Sequence, residues 1–357
     1  MVKLTVMDSL PAGLLDCAAP NIGQILDGPT LIHLPGREPA PLFVSVLLHG
    51  DEHTGFDAVR RVLRRYREPG LPRAVSLFIG NVAAAAAGVR TLDGQQDYNR
   101  CWPGSDQAAG PVRAMLGEIT EIMAQRRPFA SVDVHNNTGL NPHYACVNRL
   151  DHHFLHLALL FSRTVVYLLR PLGVQSAAFA RLCPAITLEC GKSGTVEGTT
   201  HAAEAIEAGL TLPHFPEHPV ADQDIDLMRA FAIVKIPDGA GLSFEGAPAD
   251  FQFPPDVDRL NFSEVERGHV FATRRAGSNS RLKVVSAGDV HVDSAALAEC
   301  FDYAGQEIRF ARPVIPAMLT RDAASIRLDC LCYLMYRIRL DGEPVDDGHH
   351  QSTSEPN

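Results

Sequence analysis

Two residue types that commonly bind metal ions lie three positions apart at the end of an apolar run. Residues 43–48 form a strand-like apolar stretch, and His49 and Glu52 follow it directly. Zinc in proteins takes imidazole and carboxylate ligands, so a buried strand that brings both to its C-terminal end could form half of a zinc site. The spacing is not specific, because taken alone it is more typical of an ordinary loop.

A third candidate ligand, His135, closes a second short apolar run over residues 130–135. In a strand, Asp133 and His135 point to the same face, so the carboxylate can orient the imidazole, as is common for zinc-bound histidines. Hydrolytic zinc sites use three protein ligands and leave one position for water. The sequence therefore predicts a metal site formed by His49, Glu52 and His135, although each segment alone is compatible with an ordinary strand end.

Glu189 is the candidate for the proton-transferring group that a hydrolytic metal site requires. It ends the strand-like residues 185–188 and precedes a turn rich in glycine, so we expect it at the mouth of the same sheet. A carboxylate in that place can take a proton from a metal-activated water and pass it to the leaving amine. The alternative is a structural role, in which Glu189 pairs with Lys192 or caps the helix that follows.

Polar residues between the two histidine segments indicate how a substrate is recognised. The guanidinium of Arg100 suits bidentate binding of a carboxylate, and Asn99 can add a hydrogen bond to the same group. Arg90, further upstream, is a fixed cation that can stabilise the oxyanion formed on the attacked carbonyl. The pattern predicts a small-molecule substrate with a carboxylate near the scissile bond, while surface salt bridges are the alternative for both arginines.

These segments require a framework that brings strand ends together, and hydrophobic periodicity predicts one. Strands are expected at residues 40–48, 75–80, 130–135 and 185–190, and helices at residues 56–67, 112–125, 154–161 and 197–209. This alternation predicts an α/β fold with a mixed, mostly parallel sheet flanked by helices.

The pattern changes at the proline-rich residues 212–219. Beyond them, short alternating runs separated by turn residues predict strands at residues 230–236, 269–274, 281–285 and 326–340. We therefore expect three parts: a catalytic domain over residues 1–218, a smaller, mostly β C-terminal domain over residues 219–342, and a polar, disordered tail over residues 343–357.

Composition argues against several classes of function. The 357 residues are 46% hydrophobic and carry a formal net charge of -10 without a long basic cluster, so no nucleic-acid partner is expected. No run approaches the roughly 20 apolar residues that span a bilayer, and the N-terminus lacks a signal-peptide core, so we expect no membrane partner and a cytoplasmic location. The 8 cysteines show no disulfide framework and are predicted to be buried thiols.

Four motifs, in chain order, resemble the succinylglutamate desuccinylase and aspartoacylase family, a branch of the zinc carboxypeptidase (M14-like) superfamily. The motifs are HGDEHTG, DYNRCWPG, DVHNNTG and ITLECGKSG, and the resemblance covers about residues 40–210. The second motif departs from the usual pattern, because Tyr98 stands where the family more often has leucine.

The resemblance implies a role for each candidate residue. The matching positions are the ligands of one zinc ion per chain (His49, Glu52 and His135), the general base and acid (Glu189), the pair that binds the substrate carboxylate (Asn99 and Arg100) and the arginine at the scissile carbonyl (Arg90). The family also narrows its pocket with residues of the C-terminal domain, for which Tyr303 is a candidate. Asn136, directly after the third ligand, is a further candidate substrate contact.

The sequence is thus predicted to encode a zinc-dependent hydrolase of an amide bond next to a carboxylate, of the N-acyl amino acid amidohydrolase type. A small-peptide metallocarboxypeptidase of the M14 type is the alternative, and a non-catalytic zinc-binding relative is a third reading that no missing ligand or base supports. A serine hydrolase is disfavoured because the GxSxG motif does not occur. The acyl group, the physiological metal and the formation of a homo-oligomer stay open.

Overall fold

A large mixed sheet is the framework of the chain, and a smaller sheet lies within its C-terminal part. The computed structural model describes residues 2–288, 297 and 299–345. In chain order, the strands are β1 (Thr5–Met7), β2 (Thr30–Leu34), β3 (Gly36–Val46), β4 (Leu71–Ile79), β5 (Ala130–His135), β6 (Tyr144–Val147), β7 (Thr164–Tyr167), β8 (Ala185–Glu189), β9 (Asp226–Lys235), β10 (Leu242–Ser243), β11 (Phe251–Gln252), β12 (Val270–Arg274), β13 (Lys283–Ser286), β14 (Phe301–Ala304), β15 (Glu307–Phe310), β16 (Ile315–Ala317) and β17 (Cys332–Arg337). The helices are α1 (Thr54–Arg65), α2 (Val82–Ala87), α3 (Pro111–Arg126), α4 (His152–Leu159), α5 (Gln175–Phe179), α6 (Val196–Thr211) and α7 (Ala323–Leu328), with 3₁₀ turns at Ala19–Gln24, Asp222–Asp224 and Val257–Leu260.

The large sheet has the strand order β1-β2-β4-β3-β5-β8-β6-β7-β9-β17-β16, with β13 paired to β9. Its central neighbours β4, β3, β5 and β8 are parallel to one another, whereas β6 is antiparallel to β8. Helices α1 and α6 pack against each other and against this part of the sheet, and α4 and α5 pack against β8. The mixed, mostly parallel sheet flanked by helices that the sequence predicts is confirmed.

Burial explains why the central strands form. Residues 42–46 of β3 are buried without interruption, which is typical of a parallel strand covered on both faces. Phe43 stacks on Phe179 of α5 with ring centroids 4.3 Å apart. On α1, the apolar residues Phe56, Val59 and Leu63 recur at helical spacing and are buried, so the helix packs its apolar face onto the sheet.

The large sheet continues beyond the proline-rich segment. Strand β9 pairs in parallel with β7, and β17 and β16 extend the sheet in antiparallel fashion. The second sheet, in the order β10-β11-β12-β15-β14, packs around buried aromatic residues that include Phe251, Phe271 and Phe310. The predicted β-rich C-terminal sheet is present, while the domain boundary at residue 218 stays a prediction.

One predicted strand differs from the structure. Residues 326–340 alternate as in a strand, but the chain forms α7 first, and β17 begins only at Cys332. The side chain of Asp322 accepts a hydrogen bond from the backbone amide of Ser325 at 2.7 Å and caps α7, so this local cap outweighs the alternating pattern.

The structure also bears on the predictions for the cysteines, the C-terminal tail and membrane-spanning segments. Seven of the 8 cysteines are buried as predicted, and Cys17 is half-buried. Of the predicted tail, residues 346–357 lie outside the described residues. Within the part of the chain that the structure describes, no helix combines the length and apolar character needed to cross a bilayer.

Candidate active site

The candidate site lies where the neighbouring strands β3, β5 and β8 end. These strands are parallel, so their C-terminal ends share one edge of the sheet, which is where α/β proteins place their ligands. Ser45 pairs with Asp133 in register between β3 and β5, and His135 pairs with Glu189 between β5 and β8. The sheet therefore sets His135 and Glu189 side by side, with His49 just after β3.

The turn between His49 and Glu52 depends on a close backbone contact. A Cβ atom on Gly50 would lie 2.2 Å from the carbonyl carbon of Ala84 in α2, so no larger residue fits there. The amide of Gly50 also donates a hydrogen bond to the carbonyl of Arg90 at 3.1 Å. This contact ties the loop that carries Arg90 to the turn.

Glu52 lies between the two histidines. Its Oε1 is 2.7 Å from Nδ1 of His49, and its Oε2 is 2.8 Å from Nδ1 of His135. The three side chains are buried, and one ligand atom from each lies within 4.8 Å of the others. The backbone amide of Asn136 donates to Oε2 at 3.0 Å and fixes the carboxylate. The structure thus brings together the three predicted metal ligands.

An aspartate holds each histidine on the opposite side of the ring. Oδ2 of Asp133 is 2.8 Å from Nε2 of His135, and Oδ1 of Asp97 is 3.1 Å from Nε2 of His49. When Nε2–H donates to a carboxylate, Nδ1 of the neutral imidazole offers its lone pair on the Glu52 side. The sequence pointed to Asp133 in this role but not to Asp97, whose only signal is its position inside the DYNRCWPG motif.

The charges around the cluster suit a divalent cation. Burial would raise the pKa of Glu52, but the imidazoles of His49 and His135 hold it well below its usual range. Burial would lower the pKa of His135, yet Asp133 and Glu52 raise it well above its usual value. The carboxylates of Glu52, Asp97 and Asp133 surround the two imidazoles, and a divalent cation would balance their negative charge. Two imidazole nitrogens and one carboxylate are also a donor set that zinc takes in hydrolytic sites.

Glu189 ends β8 as a buried carboxyl group beside the cluster. Burial raises the pKa of Glu189 to about 7; the imidazole of His135 opposes this shift and the carboxylate of Glu52 adds to it. Oε2 of Glu189 has no hydrogen-bond partner among the described residues. The side chain that caps α6 is Thr195, not Glu189. A carboxyl group with a free oxygen and a pKa near neutrality can accept and return a proton.

Arg90 reaches the cluster from the loop after α2. Its Nη2 donates to Oδ2 of Asp97 at 3.1 Å, and its Nη1 lies 3.7 Å from Oε1 of Glu52. Arg90 and Glu52 line the same cavity. A fixed cation therefore lies beside the candidate metal ligands, while the predicted role at the scissile carbonyl stays a prediction.

Asn99 and Arg100, the predicted carboxylate-binding pair, already make polar contacts with other residues of the protein. Nδ2 of Asn99 is 3.0 Å from Nε2 of His135, and Oδ1 of Asn99 accepts a hydrogen bond from the amide of Gln175 at 2.9 Å. Arg100 donates through Nη1 to the carbonyl of Asn99 at 2.9 Å and through Nη2 to Oδ2 of Asp329 at 2.7 Å. Asp329 comes from the C-terminal part of the chain and carries no motif that singles it out.

Asn136 lines the cavity, but its side chain links three parts of the protein. Its Oδ1 accepts a hydrogen bond from the amide of Thr54 at the start of α1 at 3.3 Å, and its Nδ2 donates to the carbonyl of Gly191 after β8 at 2.9 Å. Both amide atoms thus serve the fold. A contact between Asn136 and substrate stays a prediction.

Tyr303 lies in β14 of the second sheet. Its hydroxyl accepts a hydrogen bond from the amide of Leu282 at 3.0 Å, and the guanidinium groups of Arg274 and Arg281 stack on its ring. Tyr303 is absent from the described residues that line the cavity. The packing within the second sheet therefore accounts for this tyrosine, and no contact in the structure supports its predicted role.

A cavity of about 370 Å³ opens beside the cluster. Glu52, Arg90 and Lys192 belong to one wall, and the segment of residues 318–330 forms the other. The segment is held in place by contacts with the loop after β5. A Cβ atom on Gly139 in that loop would lie 1.8 Å from the carbonyl oxygen of Leu319, so the two backbones are in direct contact. The C-terminal part of the chain thus closes the candidate site.

Solved structures with a similar fold include two succinylglutamate desuccinylases and one aminoacylase. Succinylglutamate desuccinylase from Chromobacterium violaceum is 16% identical with a TM-score of 0.54, over 85% of this chain and 87% of that one. The Vibrio parahaemolyticus enzyme of the same name is 15% identical with a TM-score of 0.56, over 87% of this chain and 86% of that one. Murine aminoacylase 3 is 16% identical with a TM-score of 0.54, over 85% of this chain and 97% of that one. At these identities the likeness shows a shared fold.

Sequence comparison matches part of the chain to a family. No curated protein matches the chain at a significant level. Residues 41–208 match the family model described as the succinylglutamate desuccinylase/aspartoacylase catalytic domain, and this range contains the metal cluster, Glu189 and Arg100. The residues of the candidate site thus lie in a segment that resembles the catalytic domain of the succinylglutamate desuccinylase/aspartoacylase family.

Proposed function

We propose that this protein is a zinc-dependent amidohydrolase that cleaves an amide bond next to a carboxylate in N-acyl amino acids. The observation that carries the proposal is the convergence of Nδ1 of His49, Nδ1 of His135 and the carboxylate of Glu52, with an aspartate behind each imidazole. These three residues would hold one zinc ion per chain. When bound, zinc supplies Lewis-acid activation of a water molecule near neutral pH.

Glu189 acts as general base and then as general acid in this proposal. Its free Oε2 accepts a proton from the attacking water, because burial keeps the pKa of this carboxyl group close to neutrality. The protonated carboxyl group then hands the proton to the leaving amine. Its position beside His135 at the strand end supports this role.

Two arginines orient the substrate. Arg90 lies beside Glu52 and stabilises the negative charge that develops on the attacked carbonyl oxygen. Arg100, next to Asn99, faces the carboxylate of the amino acid part. Arg90 is held by Asp97, so its cation is oriented before substrate binds.

The size of the cavity favours a small N-acyl amino acid over a peptide. A volume of about 370 Å³ fits one small molecule, and residues 318–330 limit how far a longer chain could extend. A small-peptide carboxypeptidase would use the same residues and is the second candidate. A cytoplasmic location belongs to the same proposal and rests on the sequence alone.

The zinc-loaded protein should be assayed with N-acetyl and N-succinyl amino acids and with dipeptides. We expect hydrolysis of N-acyl amino acids, and a loss of about 10²–10⁴-fold in turnover for Glu189→Gln at unchanged zinc content. Glu197→Gln, at an exposed position on α6, is the matched control and should keep wild-type turnover. Wild-type turnover in Glu189→Gln would overturn the assigned base, and cleavage of dipeptides alone would overturn the deacylase assignment.

A further inference from the structure

Asp329 forms an ion pair with Arg100, the residue proposed to bind the carboxylate of the substrate. Oδ2 of Asp329 lies 2.7 Å from Nη2 of Arg100, and the two side chains are 27% and 19% exposed. Nη1 of Arg100 is engaged by the carbonyl of Asn99. A substrate carboxylate therefore meets an arginine whose charge is already paired with a carboxylate of the protein.

The backbone around Asp329 is held on both sides. Its amide donates a hydrogen bond to the carbonyl of Ser325 in α7 at 3.0 Å. Two residues later, the amide of Leu331 donates to the carbonyl of Val234 in β9 at 2.8 Å. The backbone that carries Asp329 is therefore a fixed part of the wall, and its side chain lies within hydrogen-bond distance of Arg100.

The rest of the cavity wall adds negative charge. Asp322 and Asp329 line it from the C-terminal segment, and Asp51 lines it from the turn after the first ligand. Oδ1 of Asp51 is buried and has no hydrogen-bond partner among the described residues. Of the cations on the wall, Arg90 is already paired with an aspartate, and Lys192 is exposed. A substrate whose amino acid part is only anionic finds little complementary charge in such a cavity.

We propose that Asp329 is a specificity-determining residue that selects substrates carrying an ammonium group as well as a carboxylate, which are N-acyl diamino acids. The guanidinium of Arg100 has five N–H donors, so it can bind a substrate carboxylate and Asp329 at once. The ammonium group of the substrate then pairs with Asp329, whereas an acidic side chain is repelled. This inference rests on the proposed function, because it assumes that the amide is cleaved in this cavity.

Binding of the released amino acid tests this selectivity without depending on the acyl group. L-ornithine, L-norleucine, which has a methyl group in place of the ammonium, and L-glutamate are titrated calorimetrically into the zinc-loaded full chain. We expect ornithine to bind about tenfold or more tighter than the other two, a difference of about 1.4 kcal/mol. In Asp329→Asn, ornithine should lose this advantage, and glutamate should bind about tenfold tighter than it binds wild type because Arg100 is released.

Asp341→Asn is the matched control, since Asp341 is exposed and pairs with Arg339 outside the cavity. It should bind all three amino acids as wild type does. Equal binding of ornithine and norleucine to wild type, no binding of ornithine, or an unchanged preference in Asp329→Asn would each overturn the inference. The comparison of ornithine with norleucine in the wild-type protein tests the inference even if Asp329→Asn does not fold. A failure of amide hydrolysis is a separate result, because these titrations do not require turnover.

Discussion

Oδ2 of Asp133 lies 2.8 Å from Nε2 of His135, on the side of the imidazole that faces away from Glu52. Asp133 is fully buried, and its other oxygen accepts a hydrogen bond from the hydroxyl of Ser45 at 2.6 Å. The carboxylate therefore favours a ring proton on Nε2 and turns Nδ1 toward Glu52, the side on which a metal ion would bind. Strand pairing between β3 and β5 sets this arrangement before any metal binds.

Asp133→Asn should weaken zinc binding while all three ligands stay in place. An amide orients the imidazole less strictly and adds no negative charge, so we expect zinc affinity to fall about 10–100-fold in competition with a chelator of known affinity. Asp57→Asn, on α1 and paired with Arg60, is the control and should bind zinc as wild type does. Wild-type zinc affinity in Asp133→Asn would show that the aspartate does not support His135.

Gly139→Ala should separate the C-terminal segment from the candidate site. The added Cβ would lie 1.8 Å from the carbonyl oxygen of Leu319, so the segment must shift away from the cavity. We expect the free energy of unfolding to fall by about 1–3 kcal/mol, with a lower kcat/KM. Gly117→Ala, in α3 and with no neighbouring atom within 4 Å, should be neutral or slightly stabilising. Equal stability and activity of the two variants in urea denaturation and in assays would argue against the contact.

The residues that could be predicted from the sequence are those whose placement follows from a single strand. His135 and Glu189 end apolar runs that form β5 and β8, and adjacent parallel strands then bring the two side chains together. Periodicity and local spacing contain that information. The same is true of His49 and Glu52, which lie within one turn after β3.

Other features depend on long-range packing or on local capping, which the hydrophobic pattern does not report. Asp329 lies 229 positions from Arg100 in the chain, and only the path of α7 brings the two together. Residues 326–328 alternate like a strand but become helical because Asp322 caps α7. Family resemblance suggests Tyr303 as a pocket residue; in the structure its hydroxyl accepts a hydrogen bond from the amide of Leu282, and its role in the pocket stays a prediction.

Glu189 should make the metal-free protein less stable as the pH rises. Burial raises the pKa of this carboxyl group from 4.5 to about 7 in the folded state. Between these pH values the folded state binds more protons than the unfolded chain, so the free energy of unfolding falls as the pH rises. Glu189→Gln removes this titration. As the pH rises from 4.5 to 8, the free energy of unfolding of the variant should therefore increase by up to about 3 kcal/mol relative to that of wild type. Urea denaturation of both chelator-treated proteins measures this difference, and a difference that is constant with pH would refute the raised pKa.

The central claim is that His49, Glu52 and His135 hold one zinc ion, and elemental analysis of the purified full chain after zinc loading and dialysis tests it most directly. The wild-type protein should retain one zinc ion per chain, and so should His214→Ala, which changes an exposed histidine outside the cluster. His49→Ala and His135→Ala should each lose most of the bound zinc, because each removes one of three ligands. Full zinc occupancy in both variants would contradict the account.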